Sequence, residues 1–511
     1  MTAIITEKFR HSNATTFKNE FGGSNKYFLF IGKAMPWLVA NDGGGTSDSV
    51  PPVPADDVAS EFYYWDDMIA AKAVSATDTT FAIPRRDWAA TSTFDMYEHD
   101  ISSSNPTASG ATNIYNSTFY FMTSSYKVYK VLYSSGSAIG GNEPTSTEVA
   151  PFWHESTGYM LQYMYTMSTS DVNKFLTSDF MPVVTDDTIS SGAVDGSIDS
   201  LIVTAGSGYS PSSGTYYAPI YGDGTGGVAK IIVSGGSVSA FSSTGSAVQV
   251  AGSGYTYGTV NLANRVYTTQ GAAVTDDGSS NLANTTGTIG ATSGSAASIN
   301  VQISPKGGHG KDAVKELGGH FVMVNVTLTA AEGDDIATQN DFRRVGLVKN
   351  PYNYGTTSGT TYSSATTARQ TRAVHLTSFT GSGFVIDEEI TQTNTNGSAV
   401  GRVVEWDATN KLLYYQQERF QRYGTTHTGK IGKLTGFTGT NTIAGAASNG
   451  TPNGSSNSPI SLANGNTLTP VNGYVNPELQ PDHGEIIYVE NRKPISRSTD
   501  QTEDIKIIVE F

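Results

Sequence analysis

The sequence predicts a mainly β protein, and three observations carry that prediction. Charged residues make up 15% of the 511 positions, against about 25% in ordinary globular proteins. Glycines number 55, and Ser, Thr, Asn and Tyr are abundant, a composition that favours strands and turns over helices. At the end of the chain Ile505, Ile507, Val509 and Phe511 alternate with Lys506, Ile508 and Glu510, the period of two of a strand with one apolar face. Burying those four side chains is worth roughly 6–12 kcal/mol as an upper bound, comparable to the net stability of a whole domain. The stretch His483–Phe511 therefore reads as two core strands joined by a charged connector, with pairing partners far upstream.

Length and charge narrow the function classes. A chain of 511 residues exceeds a single core, and two to four domains are expected. The formal charge is -15, and no compact basic cluster stands out, which argues against a nucleic-acid partner because such affinity rests on phosphate neutralisation. There is no cysteine, so disulfides, thiolate catalysis and cysteine metal sites are excluded. The first residues, MTAIITEKFRHSNATTF, lack an apolar h-region, and no run approaches about 18 apolar residues, so neither a secretory signal nor a membrane span is expected.

Along the chain, Tyr27–Trp37 reads as a strand entering a proline-directed turn, and Asn41–Asp57 as a loop. Asp56 or Asp57 is placed to cap a helix carrying Phe62, Trp65, Met68 and Ile69 at spacings of three and four. Ile83 and Pro84 lead into Arg85, Arg86, Asp87 and Trp88, a rigid corner in which an arginine stacks on a ring or pairs with the carboxylate. Residues 115–133 read as two strands, 151–168 as another, Asp171–Leu176 as one helical turn, and FMPVV as the strand after it.

Between about 190 and 303 the composition shifts to Gly, Ser, Thr, Ala and Val, and LIVTAGSGY at 201–209 returns as VQVAGSGY at 248–255. Two copies predict two small β units in tandem, with glycines supplying positive φ at tight turns. Near Gly307 the composition reverts to that of the first 190 residues, with a short helix between glycine breaks (307–319), the strand HFVMVNVTLTA and then NDFRRVGLVKNPY. Phe379–Gln417 has the strand–turn rhythm of a small barrel, and 438–466 reads as a linker.

Catalytic chemistry finds no support. The carboxylate pairs Asp56/Asp57, Asp66/Asp67 and Asp334/Asp335 are sequential, whereas glycoside hydrolysis needs two carboxylates facing across a cleft; capping or a solvated surface is the plainer use. His309, Asp312 and Glu316 have the residue types of a metal site, but a His in a glycine break beside capping acids is more often structural. GDGTGG at 222–227 lacks the Lys and Ser/Thr of a phosphate loop and reads as a turn. No catalytic, cofactor-binding or metal residues are assigned. Arg85, Arg86, Asp87 and Trp88, with Arg492, Lys493 and Arg497, are the candidates for a subunit interface or for an internal network holding the corner to the C-terminal sheet.

FIGKAMPW, AIPRRDW, VNKFLTSDFMPVV, NDFRRVGLVKNP and GEIIYVENRKPISRSTDQTEDIKIIVEF, in that order, resemble the baseplate wedge subunit of contractile-tailed bacteriophages, of the gene-product-eight type. The resemblance covers about half of the chain. It implies a mostly β protein that forms a homodimer, joins other wedge subunits around the tail hub and performs no chemistry. With it, the chain divides into wedge core at 1–189, 304–354 and 471–511, an inserted repeat module at 190–303, and an inserted barrel-like module with linker at 355–470. The fold expected is a β-sandwich core built from discontinuous segments, with a few short helices and two inserted small β domains. Surface-loop insertions of this kind are tolerated because loop closure costs grow only logarithmically with length.

The function expected is assembly in the virion tail baseplate after synthesis in the host cytoplasm, with tail fibre proteins as further neighbours and with neither nucleic acid nor membrane insertion. The alternative is a tail-associated carbohydrate- or receptor-binding adhesin using Tyr209, Tyr216, Tyr217, Tyr255 and Tyr257 as aromatic platforms, although turn packing is the plainer use of those rings.

Overall fold

The computed structural model describes residues 4–511 except 38–46, 156, 211, 263–264, 268–284, 289, 292–293, 330–331, 333–334, 337–339, 418–433, 463–464 and 499. The protein is mainly β, with several antiparallel sheets and a few short helices. It divides into two compact units: unit 1 holds 1–16, 80–323 and 508–511, and unit 2 holds 17–79 and 324–507. No helix among the described residues is long and apolar enough to cross a membrane.

In unit 1, Tyr120–Met122, Lys127–Tyr133, Tyr159–Thr166 and Phe152–His154 form a four-stranded sheet. Both of its faces are covered. Phe121, Tyr129 and Tyr163 enter one apolar cluster, while Tyr120, Val128 and Tyr165 enter another. Double burial explains the nearly continuous apolar run of these strands, since a half-solvated sheet alternates. Residues 151–168 make a hairpin rather than one strand, turning at positive-φ Glu155 and Gly158. The helical turn expected near Asp171 is Thr169–Phe175, capped by Ser168 Oγ, which accepts from Asp171 N at 3.0 Å.

The AGSGY copies do not fold as two tandem units. Ile198–Thr204 pairs with Ser298–Ile303, Tyr221–Gly222 with Gly258–Thr259, and Val228–Ser234 with Ala247–Val250. Strands of one copy therefore pair with strands in or beyond the other, around one shared apolar cluster. Short Gly-rich strands bury too little to stand alone, and interlocking supplies the missing surface. Gly208 and Gly254 adopt φ of 77° and 74°, the left-handed conformation expected at the turns. The tyrosine after each is buried: Ala297 N donates to Tyr209 Oη at 2.7 Å, and Tyr255 Oη accepts from Gly227 N and donates to Ile220 O, both at 3.0 Å. A Cβ at Gly224 would lie 2.4 Å from Tyr255 Cγ, so the ring fixes glycine there. Tyr255→Phe leaves a buried N–H and a buried carbonyl without that hydroxyl, and chemical denaturation is expected to show a loss of about 1–3 kcal/mol.

Unit 2 is organised on a five-stranded sheet in the order Thr367–Arg369, Met68–Val74, Tyr27–Gly32, Asp341–Lys349, Glu485–Ser496. Tyr27–Gly32 is buried at every position, as a central strand must be. The helix before Met68 is capped by Asp57, whose Oδ1 accepts from Ser60 N at 2.9 Å, but it ends at Asp66. Met68 and Ile69, expected on that helix, open a strand instead. Asp67 is bound through its carboxylate to Arg344, and its carbonyl accepts from Lys33 N at 2.9 Å, which turns the chain into the sheet.

A seven-stranded sheet runs Leu412–Gln416, Gly397–Asp407, Glu389–Asn394, Ile443–Ala444, Asn449–Pro452, Arg372–Thr380, Tyr474–Val475, and a further pairing of Arg372–Thr380 with Leu412–Gln416 closes it on itself. Ile443–Ala444 and Asn449–Pro452 lie in the stretch 438–466 read as a linker; they are ordered strands of this sheet, with Ile443 fully buried in its core.

The C-terminal stretch does form two strands, Glu485–Ser496 and Glu503–Glu510, the second beside Phe321–Leu328. Ile505 and Ile507 are buried, whereas Val509 and Phe511 are only partly so, which halves the expected contribution to about 3–6 kcal/mol. The helices Glu7–Glu20 and Asp187–Gly192 have no counterpart in the sequence reading. Glu7–Glu20 is the longest helix described, yet Ala14 is its only buried residue; with no apolar stripe it carries no helical periodicity.

Candidate interaction site

The corner at Arg85 follows strand Thr79–Pro84, and it is tied down by Trp88 N donating to Met122 O at 2.8 Å and Met122 N to Arg86 O at 2.7 Å. Arg85 Nε reaches Asp87 Oδ1 at 3.0 Å, with both side chains partly exposed, and Arg85 Nη1 donates to Thr177 O at 2.8 Å. Arg86 turns inward, its guanidinium 4.3 Å from the Tyr120 ring centre and 3.3 Å from Tyr115 O. Burial lowers the Arg86 pKa, which the neighbouring Asp95 carboxylate opposes. Trp88 packs against the Phe121 cluster. The partners named for this corner all lie within unit 1.

The C-terminal candidates sit in unit 2. Arg492 Nη2 donates to Glu490 Oε2 at 2.9 Å, and its carbonyl accepts from Trp37 Nε1 at 3.2 Å. Lys493 is exposed. Arg497 is buried, 2.9 Å from Glu503 Oε2 and donating to Ile336 O and Thr329 O, each at 3.2 Å. The candidates thus fall into two sets. Arg85, Asp87, Arg492 and Lys493 are accessible, and Arg86, Trp88 and Arg497 serve the interior.

Two buried ionic centres were not singled out from the sequence. Arg344, 2% exposed, is bound to Asp67, also 2% exposed. Its guanidinium lies 4.5 Å from the Tyr64 ring centre and 5.5 Å from that of Trp37, and Nε donates to Asn491 Oδ1 at 3.0 Å. Arg343, next in the same strand, pairs with Asp48 at 2.9 Å and Asp341 at 3.2 Å. In unit 1, Lys130 Nζ lies 2.9 Å from Glu316 Oε2 and 2.9 Å from His309 Nδ1, beneath the Tyr97 ring at 4.1 Å. Burial pulls the Lys130 and His309 pKa values down. The signal was present in both cases: cations stood mid-strand among apolar neighbours, in DFRRVGLVK and KVYKVLY.

The residues weighed for a metal have other duties. Glu316 neutralises Lys130, His309 accepts from it, and Asp312 caps the helix Ala313–Glu316 through Lys315 N at 3.1 Å. Among the described residues no group of His, Asp and Glu could hold a metal ion. Of the paired carboxylates, Asp57 is a cap and Asp67 is ion-paired, while Asp334 lies outside the described residues. Of the tyrosines considered as platforms, Tyr209, Tyr216 and Tyr255 are buried, Tyr217 is partly buried, and Tyr257 is 60% exposed.

Comparison with known proteins gives a concordant result. Residues 3–138 and 460–511 match the model of the Phage-Gp8 family, described as bacteriophage T4 Gp8. The baseplate wedge protein gp8 of Enterobacteria phage T4 is 33% identical over 98 residues, 19% of this chain. The match spans 28% of that relative's length. Strands Tyr27–Gly32 and Met68–Val74 come from the first matched segment and Glu485–Ser496 from the second, and all three lie in one sheet, joined through Asp341–Lys349. Through both of its terminal segments, the chain resembles the gp8 type of phage baseplate wedge protein.

Proposed function

We propose that the chain is a structural subunit of a phage tail baseplate wedge, acting by assembly rather than catalysis, and residing in the virion tail after synthesis in the host cytoplasm. The observation that carries this reading is the shared sheet: two segments resembling the wedge family, far apart in sequence, contribute strands to one fold. The wedge core comprises 1–189, 304–354 and 471–511, and the regions 190–303 and 355–470 are modules inserted into it. The chain pairs as a homodimer and contacts other wedge subunits, with tail fibre proteins as outer neighbours. Glu485–Ser496 supports such contacts, because it runs 12 residues along a sheet edge and has a single strand neighbour among the described residues. Arg85, Asp87, Arg492 and Lys493 supply the accessible polar groups.

Deleting the gene from the phage is expected to yield tails without complete baseplates, restored by a copy supplied in trans. Normal baseplates with defective adsorption would refute the assembly role. Within this reading the two sets of candidates separate. Arg86→Ala is expected to lower stability by about 1–3 kcal/mol through loss of the stacked, hydrogen-bonded cation, read as a fall in Tm. Lys493→Glu is expected to leave Tm unchanged and to reduce incorporation into particles.

A further inference from the structure

A cavity of about 430 Å³ in unit 2 falls within the roughly 300–1,000 Å³ of small-ligand sites. Its wall combines aromatic rings with amide side chains, and it carries acidic, basic and imidazole groups without a cluster of either sign. Tyr354 is 42% exposed and offers a ring face.

The polar wall is held in place by hydrogen bonds that leave capacity unused. Gln416 Nε2 donates to Met68 O at 3.0 Å, and Gln480 Oε1 accepts from Gly355 N at 2.8 Å, fixing two of the amides. Gln417 Nε2 donates to Val400 O and Thr435 O, while its Oε1, in a residue 6% exposed, has no partner among the described residues. Trp65, 3% exposed, likewise keeps an indole N–H without a partner among them. His483 Nδ1 lies 2.8 Å from Pro481 O and donates to it, which leaves Nε2 as an acceptor. Gln417 Oε1 and Trp65 Nε1 are closed off from solvent, so the groups that can meet a ligand are the side-chain oxygen of Gln416, the side-chain nitrogen of Gln480 and the imidazole of His483.

We propose that this pocket binds a neutral saccharide. A sugar ring presents apolar C–H faces, whose hydrogens suit the electron-rich face of Tyr354, and a rim of hydroxyls that each donate and accept. That demand matches the remaining amide atoms of Gln416 and Gln480 and the imidazole of His483. A phosphate ligand would call for clustered cations, and the pocket has Arg372 against Asp66 and Asp482. An apolar ligand would seal the amides away from water without partners. This site is separate from the tyrosines of region 190–303.

The test is saturation-transfer NMR on the full chain with methyl glucoside, methyl galactoside, methyl mannoside and N-acetylglucosamine as probes. At least one is expected to bind saturably with Kd of about 1–10 mM, the range of a few weak contacts. Tyr354→Ala, at an exposed position, is expected to weaken binding at least about fivefold at unchanged Tm. Absence of saturable binding by every probe would overturn the proposal. So would binding that survives Tyr354→Ala, or binding abolished by Tyr257→Ala.

Discussion

Asp67→Ala is expected to destabilise the protein by about 3–5 kcal/mol, because it removes the buried carboxylate bound to the Arg344 guanidinium. Arginine cannot shed its proton to escape, since the guanidinium stays charged. Of its other partners, Asn491 Oδ1 and the rings of Tyr64 and Trp37 are neutral. The damage extends beyond one pair, because Asp67 also ends the preceding helix and receives Lys33 N on its carbonyl. Denaturant unfolding of Asp67→Ala, Arg344→Met and the double variant would separate these terms. The double variant is expected to be more stable than Asp67→Ala alone, because removing both charges abolishes the desolvation cost.

Glu316→Ala creates the corresponding defect at Lys130 and is expected to cost about 3–5 kcal/mol near neutral pH, but with a different pH response. Lysine can deprotonate, and burial already lowers the Lys130 pKa. Without Glu316 the folded-state value falls further below the unfolded value of about 10.4. Between those two values the unfolded chain binds more protons than the folded chain, so the variant gains stability relative to wild type as pH rises. The deficit of Glu316→Ala is therefore expected to shrink toward pH about 10, and that of Asp67→Ala to persist, since arginine stays charged. Equal pH dependence in the two would show that Lys130 is not the stranded charge.

Much of the fold was legible because local signals and tertiary context agreed. The alternation at Ile505 and Ile507, the Asp57 cap and the positive φ of Gly208 and Gly254 are set within a few residues of themselves. The misreadings share a physical cause, in that a distant partner decided the outcome. Met68 continues the helical spacing, yet Arg344, remote in sequence, holds Asp67 and turns the chain. The AGSGY copies look self-contained, but each lacks the apolar area to close a core and borrows strands from the other. The Asn/Gly/Ser-rich 438–466 reads as a linker by composition, while Ile443 and Gly450 are buried at paired positions of a sheet. Of the candidate residues, the sequence showed which were polar but not which faced inward; Arg86 and Arg85 are adjacent and point to different surroundings.

The assembly role is tested most directly by electron microscopy of intact phage particles labelled with an antibody raised against residues 355–470. The account predicts label on the distal plate of the tail. Label confined to fibre tips, or a protein absent from particles by blotting after denaturation, would contradict it.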